Sequence, residues 1–250
     1  MAFIVPKDFY LEVSKGNVPK HSRINKYGIN PVIDAATAPE DVWYQGGIWT
    51  APLTAKKHNI ASSDVNDTSA GTGARTVFMR GLDANYDVIS ETVTLNGTSN
   101  VATANEYIMI DYMYVATAGS SGTAAGTITA TAQTYGTITH TIPLGYNQGQ
   151  FAIYQIPAGH KGYVTKITAS MYQKTANNGA VMHLMTKTFG GVWLIRREIH
   201  LLNIGNNLFS SELIPPLQLP EKTIIKLNCF SVDANSTSVA GGFDIVLVQD

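Results

Sequence analysis

The chain has 250 residues, 14% of them charged, a formal net charge of -1 and a single cysteine. That length holds one large β domain or two smaller ones with a real core. The near-neutral charge argues against a nucleic-acid partner, which calls for a basic excess. No apolar run approaches the ~18 residues of a membrane span, and the lone Cys229 forms no internal disulfide.

The first forty residues lack sustained alternation. "MAFIVPKDFYLEVSKG" mixes charges into its apolar stretch and has no signal-peptide layout. "SKGNVPKHSRINKYGINPVIDAATAPED" carries Pro, Gly and charges, so residues 1–40 read as an extended arm. Phe3, Ile4, Phe9, Tyr10, Leu11 and Val13 are apolar enough to need burial. Lys20, Arg23 and Lys26 are expected to meet acidic groups on a partner.

Beyond Asp41 a period of two dominates. "TVFMRGL", the turn "DANYD" and "VISETVTLNG" read as strand, turn, strand. "EYIMIDYMYVAT" is apolar or aromatic on both faces, as in a covered central strand. "GTITATAQTYGTITHTIPLG" holds two Thr-rich strands, and "PLGYNQGQ" marks a boundary. A second run follows: "FAIYQIPAGHKGYVTKITASMY", then "AVMHLMTKTF" and "VWLIRREIHLL" around Gly190-Gly191. A proline-rich edge segment, "ELIPPLQLP", and two closing strands complete it. The expectation is an all-β protein with less than about a tenth helix. Two β-sandwich or jelly-roll-like units, 41–145 and 146–250, follow the arm at 1–40.

The glycine-rich stretch "NDTSAGTGART" (66–76) resembles a phosphate-cradling loop, but a strand follows it and polar loop precedes it. Both flanks are wrong for a dinucleotide or Walker-type site, so it should only turn the chain. With Gly190-Gly191 as a two-residue hairpin turn, Phe189 pairs with Val192, His183 faces Glu198 and Val181 faces His200. Trp193, Ile195, Ile199 and Leu201 then share the inward face. A His183–Glu198–His200 trio has donors suited to zinc, yet it reads better as a solvated face, and no metal or cofactor is expected. Asp64, Asp67, Asp83 and Asp87 lie in oxygen-rich loops that could hold calcium, but no calcium-loop pattern is present, and "DANYD" fits turn chemistry better. Trp43, Tyr44 and Trp49 read as core or interface anchors rather than a sugar platform. Cys229, in "IIKLNCFSV", reads as a buried small hydrophobe. No nucleophile elbow or carboxylate pair stands out, so no catalytic residue is expected.

Several stretches together resemble a family of tailed-bacteriophage virion structural proteins: "DFYLEVSKGNVPKHSRINKYG", "SSDVNDTSAGTGARTVFMRGLDANYDVISETVTLNGTSNVAT", "AIYQIPAGHKGYVTKI" and the closing "FDIVLVQD". The resemblance implies a non-enzymatic β-rich particle protein. A capsid decoration (cement) protein on the outside of the head shell comes first. Its partners would be the major capsid protein and further copies of itself, as a homotrimer. A neck or tail component binding host surface glycan is the alternative.

Overall fold

The computed structural model describes residues 8–175, 177–204 and 208–250, so Phe3 and Ile4 lie outside the described residues. One short helix, α1 (Phe9–Ser14), comes first. The strands that follow are β1 (His21–Ile33), β2 (Glu40–Asp41), β3 (His58–Ser62), β4 (Ala74–Leu82), β5 (Val88–Thr94) and β6 (Val101–Ala102). Next come β7 (Met109–Ala118), β8 (Ile128–Ala132), β9 (Ile138–Ile142), β10 (Ile153–Gln155) and β11 (His160–Tyr172). The chain continues through β12 (Gly179–Lys187), β13 (Leu194–Leu202), β14 (Leu208–Leu219), β15 (Ile224–Val232) and β16 (Thr237–Gln249). Every ladder between these strands is antiparallel. The protein is all-β, as the period of two requires.

One sheet runs β1-β16-β11-β14. It faces a second, β10-β15-β12-β13, to which β2 adds through β15. Ile167, Met182, Leu184, Leu227, Phe243 and Ile245 fill the space between them. The strands from 58 to 142 form two further sheets, β6-β3-β8-β9 and β5-β4-β7, around Ile60, Val77, Met79, Met113 and Ile128. A third apolar cluster, including Trp43, Trp49, Leu82, Met109, Phe151 and Ile153, joins residues from both groups of strands.

The segment expected to be an arm needs correction. Residues 21–33 form β1, which pairs along its length with β16, from His21↔Val248 to Ile33↔Thr237. Its inward positions are Ile24, Lys26, Gly28 and Asn30, and this mostly polar face hid the alternation. Gly28 is needed there for closeness: a Cβ would lie 2.4 Å from the backbone nitrogen of Ala152 and 2.5 Å from the Val42 carbonyl oxygen. Asp41, expected to open the first unit, instead pairs through β2 with Asn228 of β15. Before His21, α1 is capped by Asp8, whose Oδ1 accepts from the backbone N–H groups of Tyr10 (2.9 Å) and Leu11 (3.2 Å).

The β12–β13 hairpin has the expected central register, with Val181↔His200 and His183↔Glu198, by a different route. The turn closes one residue early. Gly191 N–H donates to the Thr188 carbonyl at 2.9 Å, leaving Phe189 and Gly190 central, with Gly190 at φ 70°. The register then shifts across Arg196, the extra residue of a β-bulge. That bulge turns Ile195 outward to 54% exposure, against the expectation that it faces inward beside Ile199.

Candidate functional site

The glycine-rich loop closes around a carboxylate of its own. Asp67 is fully buried, and four donors converge on it: Ser62 Oγ (2.5 Å) and the backbone N–H groups of Ala74 (2.6 Å), Ala125 (2.9 Å) and Gly126 (2.9 Å). A Cβ on Gly73 would sit 2.1 Å from Asp67 Oδ1, so the loop needs glycine to reach its own anchor. The "DANYD" turn works the same way on the surface: Asp83 Oδ1 accepts from Asn85 N (2.8 Å) and Asp87 N (3.0 Å).

The proposed contact residues are scattered. Phe9, Tyr10 and Leu11 are about half exposed on α1, while Val13 is buried. Phe9 meets His21 edge to face, and both border a shallow apolar hollow with Tyr163 and Val248. The basic residues are held internally. Lys20 Nζ donates to the Asp250 carbonyl at 2.8 Å, and Arg23 pairs with Asp244 at 3.0 Å. Lys26 is 5% exposed; its ammonium donates to the Asp111 carbonyl and sits 5.1 Å from the Phe151 ring centre. It points inward from β1, so it is not free to meet a partner's acid. Burial lowers its pKa to about 8, partly opposed by Asp111 and reinforced by Arg80.

Glu198 bridges two imidazoles, His183 Nε2 to Oε2 at 3.0 Å and His200 Nε2 to Oε1 at 2.9 Å. These hydrogen bonds, His200 first, lower the Glu198 pKa. His183 is buried under Phe230, with ring centres 4.9 Å apart. Each carboxylate oxygen accepts from one imidazole, so the three do not converge on a common point. Among the described residues no group of three or more His, Cys, Asp and Glu is arranged to hold a metal ion. Trp43 and Trp49 are buried, the core role expected of them. Cys229 is also buried, which pushes its thiol up to about 12.

Two features went unread in the sequence. The first is a buried network around Asp41: Lys226 Nζ (2.7 Å), Asn228 Nδ2 (2.9 Å) and Trp49 N (2.8 Å) all donate to its carboxylate. The second is a cavity of about 320 Å³ between the 49–53 loop, the β4–β5 turn, the β12–β13 turn and the start of β15. Tyr86, Phe189 and Trp193 wall it, Lys187 and Lys222 border it, and Gln155 lines it. No local signal announces it, because its walls come from six separate stretches.

One border of the sandwich exposes several large apolar side chains. β13 and β14 are the outer strands of the two facing sheets. Along them Leu194, Ile195, Leu202, Leu208 and Ile214 (87%) are exposed, with Val192 (72%) in the turn before β13. β14 carries Pro215 and Pro216, which lack an N–H for a further strand; β13 has no proline.

No protein-family model matches the chain, and no curated protein matches it. Among solved structures it is similar to the infectious bursal disease virus Gt strain structure, at 11% identity and a TM-score of 0.23 over 98% of this chain and 74% of that one. The VP2 subviral particle of the same virus gives 10% and 0.21 over 93% and 73%. T=1 particles derived from that virus give 11% and 0.22 over 92% and 70%. Superpositions this loose do not amount to a shared fold, and no functional conclusion rests on them.

Proposed function

We propose that this chain is a non-enzymatic virion structural protein of the tailed-phage kind: a decoration protein on the outside of the head shell, assembled as a homotrimer. The observation that carries the reading is the outer edge of β13, which carries no proline and exposes Leu194, Ile195 and Leu202 alongside Arg197, Glu198 and His200. Exposed apolar strand edges invite pairing with another chain, and a protein of an ordered particle has such a neighbour in place. The sequence resemblance supports the same reading. Many copies on a shell would multiply a modest affinity per site. α1, with Phe9, Tyr10 and Leu11 half exposed, offers a second contact to a neighbouring subunit. A neck or tail position is the runner-up.

Band intensities from purified particles, set against the major shell protein, separate the two. Decoration requires hundreds of copies, a tail position only a few. On the isolated protein, Ile195→Lys should reduce self-association in light scattering while leaving the melt unchanged. A wild-type monomer at high concentration that also fails to bind stripped shells would refute the proposal. Removing residues 1–18 should weaken shell attachment and leave the sandwich folded. Removing residues 1–30 takes most of β1 and should unfold it.

A further inference from the structure

We propose that the cavity between the 49–53 loop and the β12–β13 turn binds an acidic saccharide unit. Three independent features of its wall converge on that chemistry.

The first is charge. Lys187 and Lys222 both border the cavity, and neither has an ion-pair partner among the described residues. No Asp or Glu lines it. Lys222 Nζ instead lies 5.3 Å from the Tyr86 ring centre and 5.6 Å from that of Phe189, so its position is fixed by aromatic faces. Two ammonium groups with no acid between them favour an anionic ligand.

The second is the aromatic wall. Tyr86 and Phe189 meet edge to face with centres 5.7 Å apart, and Trp193 is held by Lys226 Nζ at 4.4 Å from its ring. Rings fixed in this way offer apolar surface to the C–H face of a sugar, while the ligand's polar edge stays free.

The third is an unfilled acceptor. Gln155 is 4% exposed; its Nε2 donates to the Lys222 carbonyl at 3.0 Å, which fixes the amide orientation. Its Oε1 then has no donor. Buried side-chain acceptors are rarely left so. The oxygen is enclosed beside the cavity, so a ligand O–H would satisfy it once the side chain shifts toward the space; a simple inorganic anion or an aromatic acid without hydroxyls could not. At about 320 Å³ the space lies at the small end of ligand pockets, suited to one sugar unit.

This site is independent of the virion role, since it belongs to the isolated chain. The test is a titration of the full-length protein, followed by tryptophan fluorescence and saturation-transfer NMR. The probes are glucuronate, N-acetylneuraminate, glucose and inorganic phosphate. Either acidic sugar should bind saturably, weaken as salt rises, and exceed glucose by roughly tenfold, the scale of one charge-assisted contact. Lys187→Gln should lower that affinity by roughly tenfold with an unchanged melt, and Trp193→Leu should reduce the fluorescence response, leaving the part reported by Trp49. The proposal is overturned if neither acidic sugar binds at tens of millimolar, or if glucose or phosphate binds as well. It is equally overturned if Lys187→Gln, shown to be folded, binds like the wild type.

Discussion

Asp67 and Asp41 are both fully buried carboxylates, yet they are held by opposite means. Asp67 is surrounded by neutral donors, three of them backbone N–H groups, drawn from a glycine-rich loop and from residues 125–126. Asp41 faces a buried ammonium, Lys226, whose own desolvation must be offset by the same contact. One anchor fixes loop geometry without adding a second buried charge. The other ties β2 to β15 and makes each partner depend on the other. A neutral cradle should therefore fail gradually, and an ion pair abruptly.

The largest expected effect breaks the ion pair. Asp41→Ala leaves Lys226 buried without a counter-charge and should cost about 4 kcal/mol in denaturant unfolding. Combining it with Lys226→Met should recover at least half of the loss. Equal losses in the single and double variants would show that the cation's burial is not the cause. Asp67→Asn keeps the shape and removes one acceptor oxygen, for about 2 kcal/mol, and Ser62→Ala, which removes one donor, about 1 kcal/mol. A cost for Asp67→Asn equal to that of Asp41→Ala would erase the contrast.

Lys26 sharpens the comparison as a buried cation that has only a carbonyl for a direct hydrogen-bond partner. Its folded pKa of about 8 lies below the ordinary 10.5, so between these values the unfolded chain binds more protons. Stability from this group therefore rises with pH across that window. Between pH 8 and about 9.5 the wild type should gain about 2 kcal/mol relative to Lys26→Met. His58 follows the same sign lower down: burial takes it to about 4 from 6.5, so its contribution is lost on acidification through that range. The smallest effect belongs to exposed Glu198. Its lowered pKa gives stability above the usual carboxylate range that fades as pH falls through the folded value. Glu198→Gln should flatten that slope only slightly in melts taken from pH 5 downward.

These contrasts explain what could be read in advance. The His183–Glu198 register was legible because strict alternation flanks a glycine turn. The early closure at Phe189-Gly190 is offset by two extra residues on the β13 side, one before Leu194 and one at the Arg196 bulge, so the pairing emerged although the turn differs. Ile195 was misplaced because a bulge leaves no mark in an alternating pattern. β1 was missed for a physical reason: Lys26 and Asn30 face inward, satisfied by the Asp111 carbonyl, 85 residues on, and by Glu40, ten residues on in a stretch without alternation. The turning role of the glycine-rich loop was legible from its flanks, but its carboxylate anchor was not. The cavity with Gln155, Lys187 and Lys222 was invisible because each residue looks ordinary within its own strand or turn.

The pairing of β1 with β16 also bears on how the protein is made. Arg23 and Asp244, which meet across this ladder, stand 221 residues apart in the chain. A ribosome releases β1 long before its partner exists, so the Lys26 face must wait until β16 has been made. Closing so long a loop costs entropy before any contact repays it, which makes the facing pair of sheets slow to form. The strands from 58 to 142 face no such delay and can assemble while the rest is still being translated. Folding should therefore run in two stages, and the late stage is where an aggregation-prone intermediate would accumulate.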